Sequence, residues 1–136
     1  MLHAEPRLRY GREVIAAIVL TVLLGLLALF QIALAAGAPL GRFAWGGRSR
    51  VLPPGLRVGS AISVLVYALI TVLALDRAGV VDVVASPVSQ VGMWIVFGYF
   101  ILGIAMNAIS RSRPERYTMT PLTIVLAALS LIVAAG

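Results

Sequence analysis

The sequence contains no cysteine and no lysine, and it has one histidine among 136 residues. The absence of cysteine excludes disulfide bonds, thiol redox chemistry, Cys–Zn sites and thiolate nucleophiles. The single histidine, His3, cannot by itself provide paired haem ligation or a histidine-based metal site. We therefore expect no metal and no cofactor. An enzyme is the least supported class of protein, because the sequence offers no acid–base pair.

Charge is also scarce. Only 12% of the residues are charged and 61% are hydrophobic, whereas charged residues make up about a quarter of a soluble domain. A soluble fold of this length could not bury so much apolar surface. The composition therefore predicts a single-domain, all-α integral membrane protein. Nucleic-acid binding is not expected, because no surface combines aromatic and basic residues outside the loops.

Four apolar runs are long enough to cross a bilayer at 1.5 Å per residue. They predict four transmembrane helices in one domain, residues 1–136, at about 14–36, 59–75, 88–109 and 119–135. Thr120 and Pro121 read as the N-cap and first helical residue of the last helix. The alternative for the first run is a cleaved signal peptide, since residues 33–35 resemble a cleavage site. Its apolar core is longer than such a peptide needs.

Arginine is concentrated in two connecting segments, 37–58 and 110–119. These segments hold seven of the eleven arginines and one acid, so together they carry the whole net charge of +6. If the apolar runs span a membrane, both segments lie on the same side of it. The positive-inside rule then places them in the cytoplasm. Arg7, Arg9 and Arg12 precede the first helix and argue for the opposite orientation.

Each predicted helix gathers its small and polar residues in one narrow sector, while Leu, Ile, Val and Phe occupy the other faces. Small residues let membrane helices approach, and hydroxyl or amide groups form hydrogen bonds between them. The four stripes should therefore face each other in a compact four-helix bundle. They are Ala17, Thr21, Ala28, Gln31 and Ala35; Ser60, Ser63, Tyr67, Thr71 and Ala74; Ser89, Gly92, Tyr99, Gly103, Asn107 and Ser110; and Thr120, Thr123, Ala127, Ser130 and Ala134.

The most polar part of these stripes lies at the helix ends that adjoin the arginine-rich segments. We therefore predict a pocket with an apolar floor and a guanidinium rim, suited to a lipid or an amphiphilic anion. The alternative is that the polar residues are packing contacts only. The candidate ligand-binding residues are Gln31, Arg42, Trp45, Arg48, Arg50, Ser60, Ser63, Tyr67, Tyr99, Asn107, Arg111 and Arg113.

Two acidic residues have specific predicted roles. Glu13 is expected to complement the N-terminal dipole of the first helix. In the segment SRSRPER (110–116), Arg111 and Arg113 could hold a phosphate while Glu115 orients Arg116. The alternative for this segment is a positive loop that only fixes membrane orientation.

Two stretches, GAPLGRFAWGGRSRVLPPGLRVGS (37–60) and MNAISRSRPERYTMTP (106–121), carry a resemblance. They resemble the signature stretches of a group of small, uncharacterised four-helix bacterial membrane proteins found mainly in actinobacteria. The resemblance implies a four-helix fold in a bacterial inner membrane, and it transfers no catalytic residues. A similarity to small multidrug transporters extends only to size and helix number.

Three classes of function follow. The predicted pocket favours a protein that binds membrane lipids. A polar path through a homo-oligomer would favour a small transporter or channel subunit. Exposed apolar faces alone would suit an accessory subunit of a larger membrane complex. A proton-coupled transporter normally needs a carboxylate inside the membrane, and no acid lies in the middle of a predicted span.

Overall fold

Four long helices make up most of the chain. The computed structural model describes residues 4–136, with side chains from residue 11 onward, so His3 lies outside the described residues. The helices are α1 (Ala4–Ala35), α2 (Pro54–Arg77), α3 (Ser86–Ala108) and α4 (Arg113–Ala135), with short 3-10 turns at Gly41–Phe43 and Trp45–Gly47. All four helices are long and apolar enough to cross a membrane. The all-α bundle is confirmed, and it is compatible with a multi-pass membrane protein.

Two helices begin earlier than the sequence predicted. α1 starts at Ala4, so Glu13 lies well beyond the first turn, where the helix dipole has little effect. The predicted dipole role of Glu13 is therefore wrong, and its side chain is buried. α2 starts at Pro54, after Pro53 in extended conformation. A proline at the first helical position is compatible with a helix, because its missing N–H would have no partner there.

α4 also begins earlier, and the prediction of a helix start at Thr120–Pro121 is wrong. The helix starts at Arg113, and the Ser112 side chain accepts a hydrogen bond from the Glu115 N–H at 3.5 Å. Ser and Glu three residues apart form a common helix-start pattern. Pro121 lies inside α4. The earlier start adds almost two turns to the helix on the arginine-rich side.

We expect Ser112→Ala to destabilise the protein by about 1–2 kcal/mol, through loss of this cap and of a second hydrogen bond. The second bond runs from the Ser112 hydroxyl to the Arg42 carbonyl and joins α4 to the loop after α1. The thermal unfolding midpoint in detergent measures the effect. Ser86→Ala is the matched control, because Ser86 begins α3 without a side-chain cap. Equal midpoints for the two variants would contradict this role of Ser112.

The helices pack in a ring in which α1 contacts α2 and α4, and α3 contacts α2 and α4. The small and polar stripes lie inside this ring, as predicted. Tyr99 is the exception, with 45% of its surface exposed. The buried stripe residues are Ala17, Gln31, Ser60, Ala74, Ser89, Ser110, Thr123, Ala127, Ser130 and Ala134.

The main hydrophobic core fills the half of the bundle farther from the arginine-rich segments. Its largest fully buried side chains include Leu20, Leu24, Met93 and Val133. A separate, smaller cluster around Leu34 and Leu52 anchors the loop between α1 and α2. The helices pack less completely between these two clusters, in the half of the bundle nearer the loop.

Candidate ligand-binding cavity

The two arginine-rich segments meet at one end of the bundle. Besides the hydrogen bond between Ser112 and Arg42, the backbone of Gly47 lies directly against the Ser112 side chain. The loop after α1 is also closed on itself, since the Gly41 N–H donates to the Arg50 carbonyl at 2.9 Å. The prediction that these segments share one end of the bundle is confirmed. We call this end the arginine-rich end.

A cavity of about 750 Å³ lies between the four helices at this end, beneath the loop after α1. All four helices and the 3-10 turn at Trp45–Gly47 contribute side chains to its wall. Seven of the twelve predicted ligand-binding residues line it. They are Gln31, Trp45, Arg48, Ser63, Tyr67, Tyr99 and Asn107.

The inner part of the cavity is apolar, and one side of it opens outward. Leu27 of α1, Phe100 of α3 and Leu126 of α4 line the inner part. Along α3, the lining residues Leu102 and Met106 are 62% and 60% exposed on the outer surface of the bundle. The cavity therefore opens on a surface that faces acyl chains when the bundle stands in a bilayer.

Polar groups line the outer part of the cavity. The Gln31 amide donates to the Tyr67 hydroxyl at 3.4 Å, while the Gln31 Oε1 atom is buried without a hydrogen-bond donor. The Asn107 amide donates to the Thr123 hydroxyl at 2.9 Å, and that hydroxyl donates to the Met119 carbonyl. These pairs hold two amide side chains in the polar, outer part of the cavity wall.

Trp45, in the loop after α1, forms the part of the cavity wall nearest that loop. It is a non-glycine residue with a positive φ of 53°, a conformation that costs free energy and needs support from its surroundings. The support comes from α2, because the indole N–H donates to the Ser60 hydroxyl at 3.0 Å and the ring lies on Gly59. Ser60 is fully buried and does not line the cavity. It positions Trp45.

The seven arginines of the arginine-rich end divide into three groups. Arg48 lines the cavity, and it also lines a second recess of about 450 Å³ with Arg42 and Arg50. Arg57 and Arg116 donate to the carbonyls of Ala35 and Ser110, and so satisfy backbone groups at the end of α1 and just after α3.

Arg111 and Arg113 are exposed and line neither space. The guanidinium rim of the cavity therefore consists of Arg48, with Arg42 and Arg50 beside it.

Glu115 is a cavity residue that the sequence analysis missed. It is only 6% exposed and lines the cavity. The predicted pairing with Arg116 is wrong, because Arg116 donates to the Ser110 carbonyl at 3.0 Å and lies over the Tyr117 ring. The signal was present in the sequence. Glu115 precedes the cavity residues Met119 and Thr123 at intervals of four, which places all three on one face of α4.

The fold and the cavity define a class: an all-α bundle of four membrane-spanning-type helices with an amphipathic cavity at its arginine-rich end. No protein family model, no curated protein sequence and no solved structure matches the chain. Within residues 11–136, no three His, Asp or Glu side chains come close enough together to hold a metal ion.

Proposed function

We propose that this protein binds a membrane lipid, or another amphiphilic anion, in the cavity at its arginine-rich end. The observation that carries the proposal is one 750 Å³ cavity with an apolar interior, an exposed apolar edge on α3 and Arg48 in its wall. A volume of this size lies within the range of about 300–1,000 Å³ usual for small-molecule sites.

The polarity of the wall fits an amphiphile in one orientation. The guanidinium of Arg48 and the amides of Gln31 and Asn107 provide hydrogen-bond donors for a phosphate or another anionic headgroup. The apolar interior takes the adjoining part of an acyl chain. The remainder of the lipid extends past Leu102 and Met106 into the bilayer.

The packing beyond the cavity favours binding over conduction. Leu20, Leu24 and Met93 fill the next layer of the bundle and are essentially inaccessible. A single chain would need to open this layer before an ion or polar solute could pass.

We also propose that the bundle lies in a bacterial cytoplasmic membrane, with segments 37–58 and 110–119 on the cytoplasmic side. A reporter fused after Gly136 tests this orientation.

Arg48→Gln is expected to weaken phospholipid binding about tenfold, because a hydrogen bond to a charged group contributes about 1.5–3 kcal/mol. Native mass spectrometry of the purified protein, titrated with dioleoyl phosphatidylglycerol, measures the affinity. Arg111→Gln is the matched control, since Arg111 carries the same charge at the same end but lies outside both spaces.

Equal losses in the two variants would mean that general charge attraction, and not a site at Arg48, holds the lipid. The proposed orientation of the headgroup would then be wrong. An unchanged affinity in both variants would remove Arg48 from the site altogether.

A further inference from the structure

The carboxylate of Glu115 lies in the cavity wall without a partner. The residue is only 6% exposed, and its carboxylate oxygens are not completely enclosed by protein, so they face the cavity. Arg116 forms no hydrogen bond with it, since its guanidinium donates to the Ser110 carbonyl and the Tyr117 hydroxyl. Arg48, which lines the same cavity, forms no hydrogen bond with any described residue. The Glu115 backbone N–H donates to the Ser112 hydroxyl, and no described residue donates to the carboxylate.

A carboxylate in the wall of a largely apolar space is stabilised by a hydrogen-bond donor that carries a positive charge. The described residues supply no such donor to Glu115, so a ligand can provide it.

The cavity wall contains a second acceptor that has no hydrogen-bond donor. The Oε1 atom of Gln31 is buried and receives no hydrogen bond. Two acceptors without donors therefore border the cavity that Arg48 also lines. A purely anionic headgroup satisfies Arg48 and leaves Glu115 unpaired. A headgroup with both charges can satisfy both residues.

We infer that the cavity selects a phospholipid whose headgroup carries a primary ammonium beside its phosphate, with the ammonium bound by Glu115 and the phosphate by Arg48. This inference rests on the proposed function and specifies the chemical class of its ligand. A primary ammonium has three N–H donors, whereas a trimethylated one has none. Glu115 can therefore accept hydrogen bonds from a primary ammonium but not from a trimethylated one, and this difference distinguishes the two headgroups.

Three lipids with the same two oleoyl chains test the inference: phosphatidylethanolamine, phosphatidylcholine and phosphatidylglycerol. Each is titrated into the full-length protein in mild detergent and followed by native mass spectrometry. We expect phosphatidylethanolamine to bind about tenfold more tightly than the other two. Glu115→Gln should abolish this preference, and Glu115→Asp should retain part of it.

Glu13→Gln is the matched control. Glu13 is buried to a similar extent, 8% exposed, but it packs beside Gly136 and does not line the cavity. The preference for phosphatidylethanolamine should survive in this variant. The thermal midpoint of each variant shows that it is folded before it is titrated, and Glu115→Ala, which also removes the carboxylate, replaces Glu115→Gln if the latter does not fold.

The outcomes separate the two proposals. Binding of none of the three lipids overturns the proposed function. Equal binding of all three, or a preference that persists in Glu115→Gln, overturns the assignment of the ammonium to Glu115 and leaves lipid binding in place. Glycerophosphoethanolamine, which has the headgroup without chains, should fail to displace the lipid at equal concentration. Displacement by it would show that a soluble ammonium compound, and not a lipid, is the ligand.

Discussion

Gly41→Ala is expected to destabilise the protein by roughly 3 kcal/mol or more, through disruption of the loop that covers the cavity. A Cβ atom at Gly41 would overlap the carbonyl oxygen of Ser49 and would lie 2.9 Å from that of Arg50. Both are backbone atoms, so no side-chain rotation relieves the clash. The Gly41 N–H also donates to the Arg50 carbonyl, and this hydrogen bond keeps the backbone at Gly41 close to the backbone at Arg50.

The thermal unfolding midpoint in detergent, followed by tryptophan fluorescence, measures this loss. Two other glycines serve as controls. Gly98→Ala, in the middle of α3 with open space around it, should be neutral or stabilising, because alanine favours helix. Gly46→Ala has open space but a φ of +80°, and should cost only about 1–2 kcal/mol. A Gly41→Ala midpoint equal to that of the native protein would show that the loop is not packed as described.

Ser63→Trp is expected to reduce lipid binding at least tenfold by filling the cavity. Ser63 lines the cavity from α2, and its hydroxyl donates only to the Gly59 carbonyl of its own helix, so few interactions are lost on substitution. The indole would occupy the space next to Tyr67 that we assign to the ligand. Lipid phosphorus per mole of protein, measured after gel filtration in detergent, reports the retained lipid.

Ile62→Trp is the matched control for this variant. Ile62 is the preceding residue of α2, and it is 54% exposed on the outer face of the bundle. The same side chain is thus introduced one position away, outside the cavity. Retained lipid should fall in Ser63→Trp and stay at the native level in Ile62→Trp. Equal retention in both variants would show that the lipid binds to the outer surface.

Much of this architecture follows from hydrophobicity and charge. An uncharged run of membrane-spanning length has few alternatives to a helix, and small or polar residues at helical spacing must face other helices when the outer surface is apolar. These rules predicted the four helices, the buried stripes around Ser60 and Ser130, and the meeting of the two arginine-rich segments. Seven of the predicted ligand-binding residues also line the cavity, because they belong to these stripes.

The parts that were predicted wrongly depend on local hydrogen bonds or on tertiary contacts. The start of α4 was misplaced because Pro121 dominated the interpretation, although Ser112 and Glu115 form a helix-start pattern farther upstream. That error concealed Glu115 as a cavity residue. The sequence could not show which of the seven arginines line the cavity and which bind backbone carbonyls. The carbonyls that bind Arg57 and Arg116 are identified only once the helix ends are positioned.

The most direct test of the cavity as a lipid site is native mass spectrometry of the wild-type protein, extracted in mild detergent without added lipid. We expect each protein chain to retain a phospholipid, and that lipid to be lost in Ser63→Trp but not in Ile62→Trp. A spectrum that shows only the mass of the bare chain, under conditions where the fold is intact, would contradict lipid binding in the cavity.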